Sequence, residues 1–228
     1  MSRTPERPLL KLVLAPHPDD EVLGVGGAMA RWAQEGHGVH VAVITRGRPP
    51  LYTEAEEAQC RAEARAAHAR LGVARTWHLD LPAGELDGVP HRQLNARLDE
   101  LLLDCAPDEL YLPFLGDVHR DHQRVFQSAL VAARPARPGF PRQVFAYETL
   151  SETNWSAPPL TPAFAPNHYV DITATLEAKL EAMALYRSQL KPPPHERSLE
   201  ALRALATFRG ATVGLGAAEA FVMIRSVG

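Results

Sequence analysis

The chain has 228 residues, of which 46% are hydrophobic and 22% charged, which is ordinary for a globular protein with a sizeable core. A formal net charge of -3 provides no broad positive field, so neither nucleic acid nor an anionic membrane is predicted as a partner. Cys60 and Cys105 are isolated, the first seven residues contain no apolar leader, and no apolar run approaches the ~20 residues of a membrane span. We therefore expect a cytoplasmic protein with reduced thiols.

Strands and helices alternate along the larger, N-terminal part of the chain. In chain order, the pattern predicts a strand at 9–15, a helix at 21–35, a strand at 39–45, a helix at 54–71, a strand at 76–81, a helix at 94–105, a strand at 109–114, a helix at 121–133 and a strand at 143–148. This alternation is typical of βαβ units. It predicts an α/β fold with a Rossmann-like, doubly wound, mostly parallel sheet and helices on both faces, with a core at about residues 8–150.

The pattern becomes less regular after residue 150. Residues 156–166 contain four prolines and predict a surface loop. Asp171 is a candidate cap for a helix at 173–190, which three consecutive prolines would end. A further helix is expected at 198–208, followed by an apolar run at 220–225. We expect this part to be a C-terminal embellishment of one domain that comprises residues 1–228.

A glycine-rich stretch, Gly24-Val25-Gly26-Gly27, lies inside the first predicted helix. A dinucleotide-binding loop needs its glycines at the turn itself, and here His and Asp occupy that turn. We therefore expect these glycines to permit close packing or a close approach to the substrate.

Two clusters of ionisable residues directly follow predicted strands. Pro16-His17-Pro18-Asp19-Asp20-Glu21 follows the first strand, and Gly116-Asp117-Val118-His119-Arg120-Asp121-His122 follows the fourth. Ligands of open α/β sheets bind beyond the carboxyl ends of the strands, so the two clusters can face each other. Three His or carboxylate ligands with one open position form the usual catalytic zinc site. The competing interpretation is that the acids favour a helix N-terminus and the histidines are solvated.

The first motif, paired with His119-Arg120-Asp121-His122, resembles the PIG-L (LmbE-like) family of zinc-dependent N-deacetylases. The resemblance covers most of the chain and includes a weaker C-terminal segment, Ala217-Ala218-Glu219-Ala220-Phe221. It implies hydrolysis of the N-acetyl group of an amino sugar. The substrate would be of GlcNAc type, with a bacillithiol-precursor GlcNAc conjugate among the candidates. It also implies a homo-oligomer.

The resemblance also implies roles for individual residues. It assigns one Zn2+ per chain to three ligands: His17, Asp20 and His122. Asp19 becomes the general base that takes a proton from the attacking water. His119 becomes the residue that stabilises the oxyanion or protonates the leaving amine, with Asp121 holding its ring.

The loop after the second strand departs from the family pattern. Many relatives have an acidic residue after Thr-x-Gly, whereas this chain has Thr45-Arg46-Gly47-Arg48. Arg46 is therefore a candidate contact for a phosphate or carboxylate on the substrate. Arg61, in the following helix, is a second candidate. The alternatives are a solvated loop charge for Arg46 and a helix-surface ion pair for Arg61.

Two other functions compete with deacetylation. A metal phosphoesterase also uses Asp and His at strand ends, but its two-metal sites usually need ligands from further strands, and Asp80 and Glu148 are isolated here. A non-catalytic carbohydrate-binding module would not need the base Asp19 or the pair of His119 and Asp121.

Overall fold

Seven strands form one sheet in the computed structural model, which describes residues 7–136 and 139–228. The strands are β1 (Leu10–Ala15), β2 (Gly38–Arg46), β3 (Arg75–Pro82), β4 (Glu109–Pro113), β5 (Gln143–Tyr147), β6 (His168–Asp171) and β7 (Ala218–Ser226). Their order is β3-β2-β1-β4-β5-β7-β6. The strands from β1 to β5 pair in parallel, and β7 is antiparallel to both β5 and β6. The predicted mostly parallel α/β sheet is confirmed. The first six residues, on which the expectation about a leader partly rests, lie outside the described residues.

Six helices in the described part of the chain cover both faces of this sheet. They are α1 (Asp20–Gln34), α2 (Glu54–Leu71), α3 (His91–Cys105), α4 (Arg120–Ala132), α5 (Leu176–Leu185) and α6 (Leu199–Thr212). One apolar core joins the sheet to α1, α2, α5 and α6, and a second joins it to α3 and α4. Because successive side chains of β1 point to opposite faces, Val13 belongs to the first core and Leu12 to the second. Across the described ranges, no helix is both long and apolar enough to span a membrane.

The C-terminal part differs from the sequence prediction. Residues 168–171, which were not expected to be a strand, form β6, and the apolar run expected at 220–225 lies within β7. A strand of only four residues is too short to show a periodicity, and its pairing with β7 is a long-range contact. The division near residue 150 therefore does not separate the sheet, because β7 pairs with β5. That the whole chain acts as one domain stays a prediction.

The helix predicted at 173–190 is present as α5, but both of its predicted bounds were wrong. Asp171 caps a turn, since its carboxylate accepts hydrogen bonds from the backbone N–H and the hydroxyl of Thr173, and α5 begins only at Leu176. At the other end, the backbone N–H and hydroxyl of Ser188 donate to Glu63 on α2. These tertiary hydrogen bonds draw the chain out of the helix before the prolines are reached.

The glycines of α1 allow close packing, as the sequence predicted. A Cβ atom on Gly24 would lie 2.2 Å from Cδ2 of Tyr147, and one on Gly27 would lie 2.7 Å from Cδ1 of Ile172. Either substitution would force the helix away from the sheet, and α1 carries half of the site described below.

A buried ion pair joins α1, α5 and β7. Lys179 Nζ donates to Glu219 Oε1 at 2.6 Å and to the carbonyl of Leu23 at 2.8 Å. The same carboxylate accepts from the backbone N–H groups of Gly27 and Ala28, at 3.0 and 2.7 Å. Both charged side chains are only 3% exposed, so each depends on the other for compensation.

We predict that Glu219→Ala lowers the free energy of unfolding by about 3–5 kcal/mol, because it leaves a buried ammonium without its counter-charge and removes the carboxylate that accepts from two helix N–H groups. Urea unfolding would measure the change. Glu177→Ala is the matched control, since Glu177 forms an exposed pair with Arg203 whose loss should cost about 0–1 kcal/mol. Equal effects of the two substitutions would contradict this account of the buried pair.

Candidate active site

The two clusters predicted at strand ends meet above neighbouring strands. β1 pairs with both β2 and β4, so the turn from β1 into α1 lies beside the turn from β4 into α4. Asp20 is the first residue of α1, and His119 is the N-cap of α4. The contact between His17 and Asp121 joins residues that are 104 positions apart in the chain.

The Asp20 carboxylate lies between two imidazoles. Its Oδ2 atom is 3.4 Å from Nδ1 of His17 and 3.2 Å from Nε2 of His122. The three residues each offer a ligand atom within 4.8 Å of the others. His122 Nε2 is fully buried and makes no hydrogen bond, as expected of an atom reserved for a metal. The donor set, two imidazoles and one carboxylate, fits a catalytic zinc ion.

Charge compensation governs the pKa values of these groups. Burial opposes the charged form of His17, but hydrogen bonds with Asp121 and Asp20 outweigh it and raise the pKa of His17 to about 9. Burial also opposes charge on His122, but attraction to Asp20 and a hydrogen bond with Asp117 raise its pKa to about 10. The pKa of Asp20 lies well below its usual range despite burial, because both imidazoles attract the carboxylate.

Asp117 holds the outer nitrogen of His122. Its Oδ2 atom lies 2.8 Å from His122 Nδ1, and its Oδ1 accepts from the Thr153 hydroxyl at 2.6 Å. This contact directs Nε2 of the imidazole toward Asp20. Carboxylates that hold metal-binding histidines in this way fix the tautomer and the ring orientation. In the sequence, Asp117 belongs to the same cluster as His122, but its contact with that imidazole was not predicted.

Asp121 contacts a different histidine from the one expected. Its Oδ2 atom is 3.0 Å from His17 Nε2, and the carboxylate accepts from the backbone N–H groups of Gly84 and Leu86 at 2.6 and 3.0 Å. The expectation that this carboxylate holds the ring of His119 is corrected accordingly. The loop after β3 supplies these two N–H groups and directs the carboxylate to His17.

His119 makes a contact that fixes its tautomer. Its Nδ1 atom accepts a hydrogen bond from the backbone N–H of Asp121 at 3.1 Å. The proton of the neutral ring is therefore on Nε2. Burial, reinforced by the neighbouring His17, lowers the pKa of His119 to about 4. His119 is thus a neutral N–H donor at the wall of the site.

Asp19 is held in an unusual backbone conformation. Its φ of 105° is rare for a residue with a side chain, and its N–H donates to Glu21 Oε2 at 3.2 Å. Glu21 in turn accepts from the hydroxyl of Tyr186 at 2.6 Å and contacts His68 Nε2 at 3.1 Å. Burial raises the pKa of Asp19 to about 8, although the charge of Arg197 opposes the shift.

Arg197 was not found by sequence reasoning. Its Nη1 atom lies 3.5 Å from Oδ2 of Asp19, and its Nη2 lies 3.7 Å from Oε1 of Glu152. Its Nε donates to the Ser151 hydroxyl at 2.7 Å. No motif marks this arginine, because it follows the proline-rich stretch after α5 and reaches the site only through the fold.

A cavity of about 410 Å³ opens over these residues. Its wall includes His17, Asp19 and His119, and it continues along the loop before α2 to Ser188, Gln189 and Arg197. The volume is within the range of small-molecule sites. His17, Asp19 and His119 therefore border a space in which a substrate can be held.

The two arginines proposed as substrate contacts do not line this cavity. Arg61 forms ion pairs with Glu57 and Asp80, which is the alternative that the sequence left open. Arg46 Nε lies 3.5 Å from Glu57 Oε1. Thr45 and Gly47, on either side of Arg46 in the chain, line the cavity, whereas Arg46 itself does not. Arg61 is thus held by two carboxylates, whereas Arg46 lies near one of them and its Nε makes no hydrogen bond.

Comparison with known proteins agrees with this geometry. The family model described as GlcNAc-PI de-N-acetylase (PIG-L) matches residues 12–133, more than half of the chain. The uncharacterized deacetylase YaiS of Escherichia coli is 31% identical over 148 residues, 61% of this chain and 74% of that protein. The 1D-myo-inositol 2-acetamido-2-deoxy-alpha-D-glucopyranoside deacetylase of a Nocardioides species is 29% identical over 184 residues, 64% of this chain and 61% of that protein, so the match spans less than two thirds of this relative.

A solved structure extends the likeness over nearly the whole chain. The N,N'-diacetylchitobiose deacetylase from Pyrococcus horikoshii matches with a TM-score of 0.77 at 25% identity, covering 96% of this chain and 84% of that one. The chain belongs to the PIG-L family, and the resemblance found in its two motifs is confirmed.

We predict that the chelator-treated protein loses stability as the pH rises from about 6.5 to about 10. The folded-state pKa values of His17 and His122, about 9 and about 10, exceed the ordinary value of 6.5. A raised histidine pKa stabilises the fold fully below pH ~6.5 and ceases to do so above the folded value. Urea unfolding at several pH values would measure this slope, which should be smaller in His122→Asn. A free energy of unfolding that stayed constant or rose across this range would contradict the prediction.

Proposed function

We propose that this protein is a zinc-dependent deacetylase that hydrolyses the N-acetyl group of a GlcNAc-type amino sugar. The observation that carries the proposal is the convergence of His17, Asp20 and His122 beside a buried carboxylate, Asp19, at the wall of a cavity. Membership of the PIG-L family supports the reaction. The Pyrococcus relative, by its name, acts on diacetylchitobiose, which supports an N-acetylated sugar as substrate.

We assign one zinc ion per chain to His17 Nδ1, Asp20 and His122 Nε2. The outer nitrogens of the two imidazoles contact Asp121 and Asp117, which leaves the inner ones for the metal. Bound there, zinc would supply Lewis-acid polarisation of the amide carbonyl and would acidify water. Cytoplasmic location and a homo-oligomeric state stay predictions.

Asp19 can carry the proton through the whole reaction. Its carboxylate takes a proton from the attacking water as the new C–O bond forms at the acetyl carbon. The same group then delivers that proton to the sugar nitrogen as the C–N bond breaks, which releases acetate and a free amine. Burial, which raises the pKa of Asp19 to about 8, supports a group that gains and loses a proton near neutral pH.

His119 suits stabilisation of the oxyanion. A neutral ring with its proton on Nε2 is a hydrogen-bond donor, and a donor aimed at developing negative charge lowers the barrier. Of the two roles that the family resemblance left open, this tautomer favours the oxyanion donor over the acid. Asp121 then acts on the metal ligand His17, with which its carboxylate is in contact.

The competing functions gain no support from the described residues. A second metal-type combination consists of His17, His119 and Asp121, but it shares His17 with the first. The Asp121 carboxylate already accepts two backbone hydrogen bonds. A phosphoesterase with two metals therefore lacks a separate ligand set here. A sugar-binding module would not need a buried carboxylate such as Asp19, whose Oδ2 makes no hydrogen bond.

We predict amine release from at least one member of a panel of N-acetylated sugars, abolished by a chelator and restored by zinc. Asp19→Asn should lower kcat by about two to four orders of magnitude, the usual contribution of a general base, while zinc content is retained. Asp87→Asn, at an exposed position outside the cavity, is the control. An Asp19→Asn variant with near-normal kcat would remove Asp19 from the mechanism, and a panel without any released amine would overturn the proposed function.

We predict that Asp117→Asn weakens zinc binding by about 10–100-fold, because His122 loses the carboxylate that orients its ring. Competition with a chromogenic chelator would measure the affinity, and circular dichroism would show whether the variant is folded. Asp104→Asn, at a surface pair with Arg75, provides the control. An unchanged zinc affinity in folded Asp117→Asn would show that Asp117 does not support the metal ligand.

A further inference from the structure

We propose that one part of the cavity binds the aglycone of the substrate. This part is formed by the β2–α2 loop, the start of α2 and residues 188–197. It selects an uncharged, hydroxyl-bearing aglycone, such as a second sugar, over an anionic one. This inference rests on the proposed deacetylase function and adds a substrate class to it. Four features of the described residues lead to this inference. The arginines lie beside carboxylates of the protein, and a glutamate carboxylate occupies the N-terminus of α2. Neutral polar side chains and an exposed aromatic ring line the same region.

The guanidinium of Arg197 already has two carboxylates of the protein beside it. Among the described residues that line the cavity it is the one guanidinium, and four carboxylates share the lining with it: Asp19, Glu56, Glu57 and Glu152. Its nitrogens are directed to Asp19 and Glu152 and to the side-chain oxygens of Ser151 and Gln189. Its charge is thus compensated within the protein.

Carboxylates of the protein also lie beside the positive charges of the two arginines behind the cavity wall. Arg61 forms ion pairs with Glu57 and Asp80, and Arg46 lies beside Glu57. A phosphate or carboxylate on the substrate would have to compete with these carboxylates. Tight recognition of such groups uses bidentate arginine contacts, and the guanidinium in the described lining, that of Arg197, lies between Asp19 and Glu152.

The N-terminus of α2 would otherwise be a natural anion site. Free N–H groups and the helix dipole attract negative charge at such an end. Here the Glu56 carboxylate already lies there and accepts from the backbone N–H and the hydroxyl of Thr53, both at 2.8 Å. The Thr53 hydroxyl accepts from the Glu56 N–H and completes a capping box. The protein thus places its own negative charge where an anionic ligand would bind.

Neutral polar groups line the same region. Ser188, Gln189 and Gln59 all belong to the wall. They are joined in one network, in which Gln189 donates to the Ser188 hydroxyl and both Ser188 and Gln59 donate to Glu63. An amide side chain has two donors and two acceptor positions, so both glutamines keep capacity for sugar hydroxyls.

Tyr52 provides an apolar surface at the mouth of the cavity. A Cβ atom on Gly47 would lie 2.8 Å from Cγ of Tyr52, so the ring packs directly over the glycine backbone. The side chain is 47% exposed, and the neighbouring Leu51 is 65% exposed. An exposed aromatic ring beside hydrogen-bonding amides suits the C–H face and the hydroxyls of a sugar ring.

Two substrates that share the N-acetylglucosamine ring, one with a neutral and one with an anionic group at C1, test the inference. For methyl N-acetylglucosaminide and N-acetylglucosamine 1-phosphate, we expect kcat/KM of the phosphate to be at least about tenfold lower, mainly through KM, because charge repulsion acts on binding. Glu56→Gln removes the charge and keeps the capping box, which accepts Gln at this position. Glu56→Gln should reduce the ratio of the two kcat/KM values, neutral sugar over phosphate, by about threefold or more. Glu56→Lys should reduce this ratio further.

Glu54→Gln is the matched control, since Glu54 is exposed in the same helical turn and does not line the cavity. It should leave the ratio unchanged. Equal or faster hydrolysis of the phosphate would overturn the inference and leave the deacetylase proposal intact. A ratio that moves equally in Glu54→Gln and Glu56→Gln would also overturn it, because the selectivity would then come from the general field of the protein. Hydrolysis of neither sugar, together with no turnover across the wider panel, would overturn the deacetylase function and this inference with it.

Discussion

The parallel pairing of β1 with β4 places two chain segments side by side whose charged residues could not be buried separately. Asp20 is 1% exposed and His122 is fully buried, and each is tolerated because the other lies 3.2 Å away. The same pairing places His17 against both Asp20 and Asp121. The strand order of the sheet thus brings together the proposed zinc ligands and the carboxylates that contact them.

Burial then divides the ionisable groups into different roles. Asp20, between two imidazoles, has its pKa well below the usual range, whereas burial raises the pKa of its neighbour Asp19 to about 8. Adjacent carboxylates with opposite shifts are typical of a site that needs one charged ligand and one proton carrier. His119 and His122 are separated in the same way, since burial lowers the pKa of His119 while Asp20 raises that of His122.

Beyond the reacting groups, the cavity is lined by charges that already have partners. Arg197 lies between Asp19 and Glu152, and the Glu56 carboxylate occupies the start of α2. A pocket whose arginines lie beside carboxylates of the protein discriminates between substrates by repelling anionic groups as well as by binding neutral ones. Membership of the PIG-L family points to the removal of an acetyl group. The residues that line the rest of the cavity concern a different property, the choice of the aglycone.

The sequence alone was sufficient for the parallel core, the close-packed glycines of α1 and the two motifs, because each depends on local periodicity or on residues that adjoin a strand end. It also placed the members of the ligand set, although their roles stay a proposal. Residues 168–171, Arg197 and the partner of Asp121 were beyond it. Those features depend on contacts between distant segments. The strand β6 forms through its pairing with β7. The N–H groups of Gly84 and Leu86 bind the Asp121 carboxylate, which contacts His17 rather than His119. Tertiary structure decided them because a hydrogen bond is made to whichever group lies nearest in space, and sequence spacing does not carry that distance.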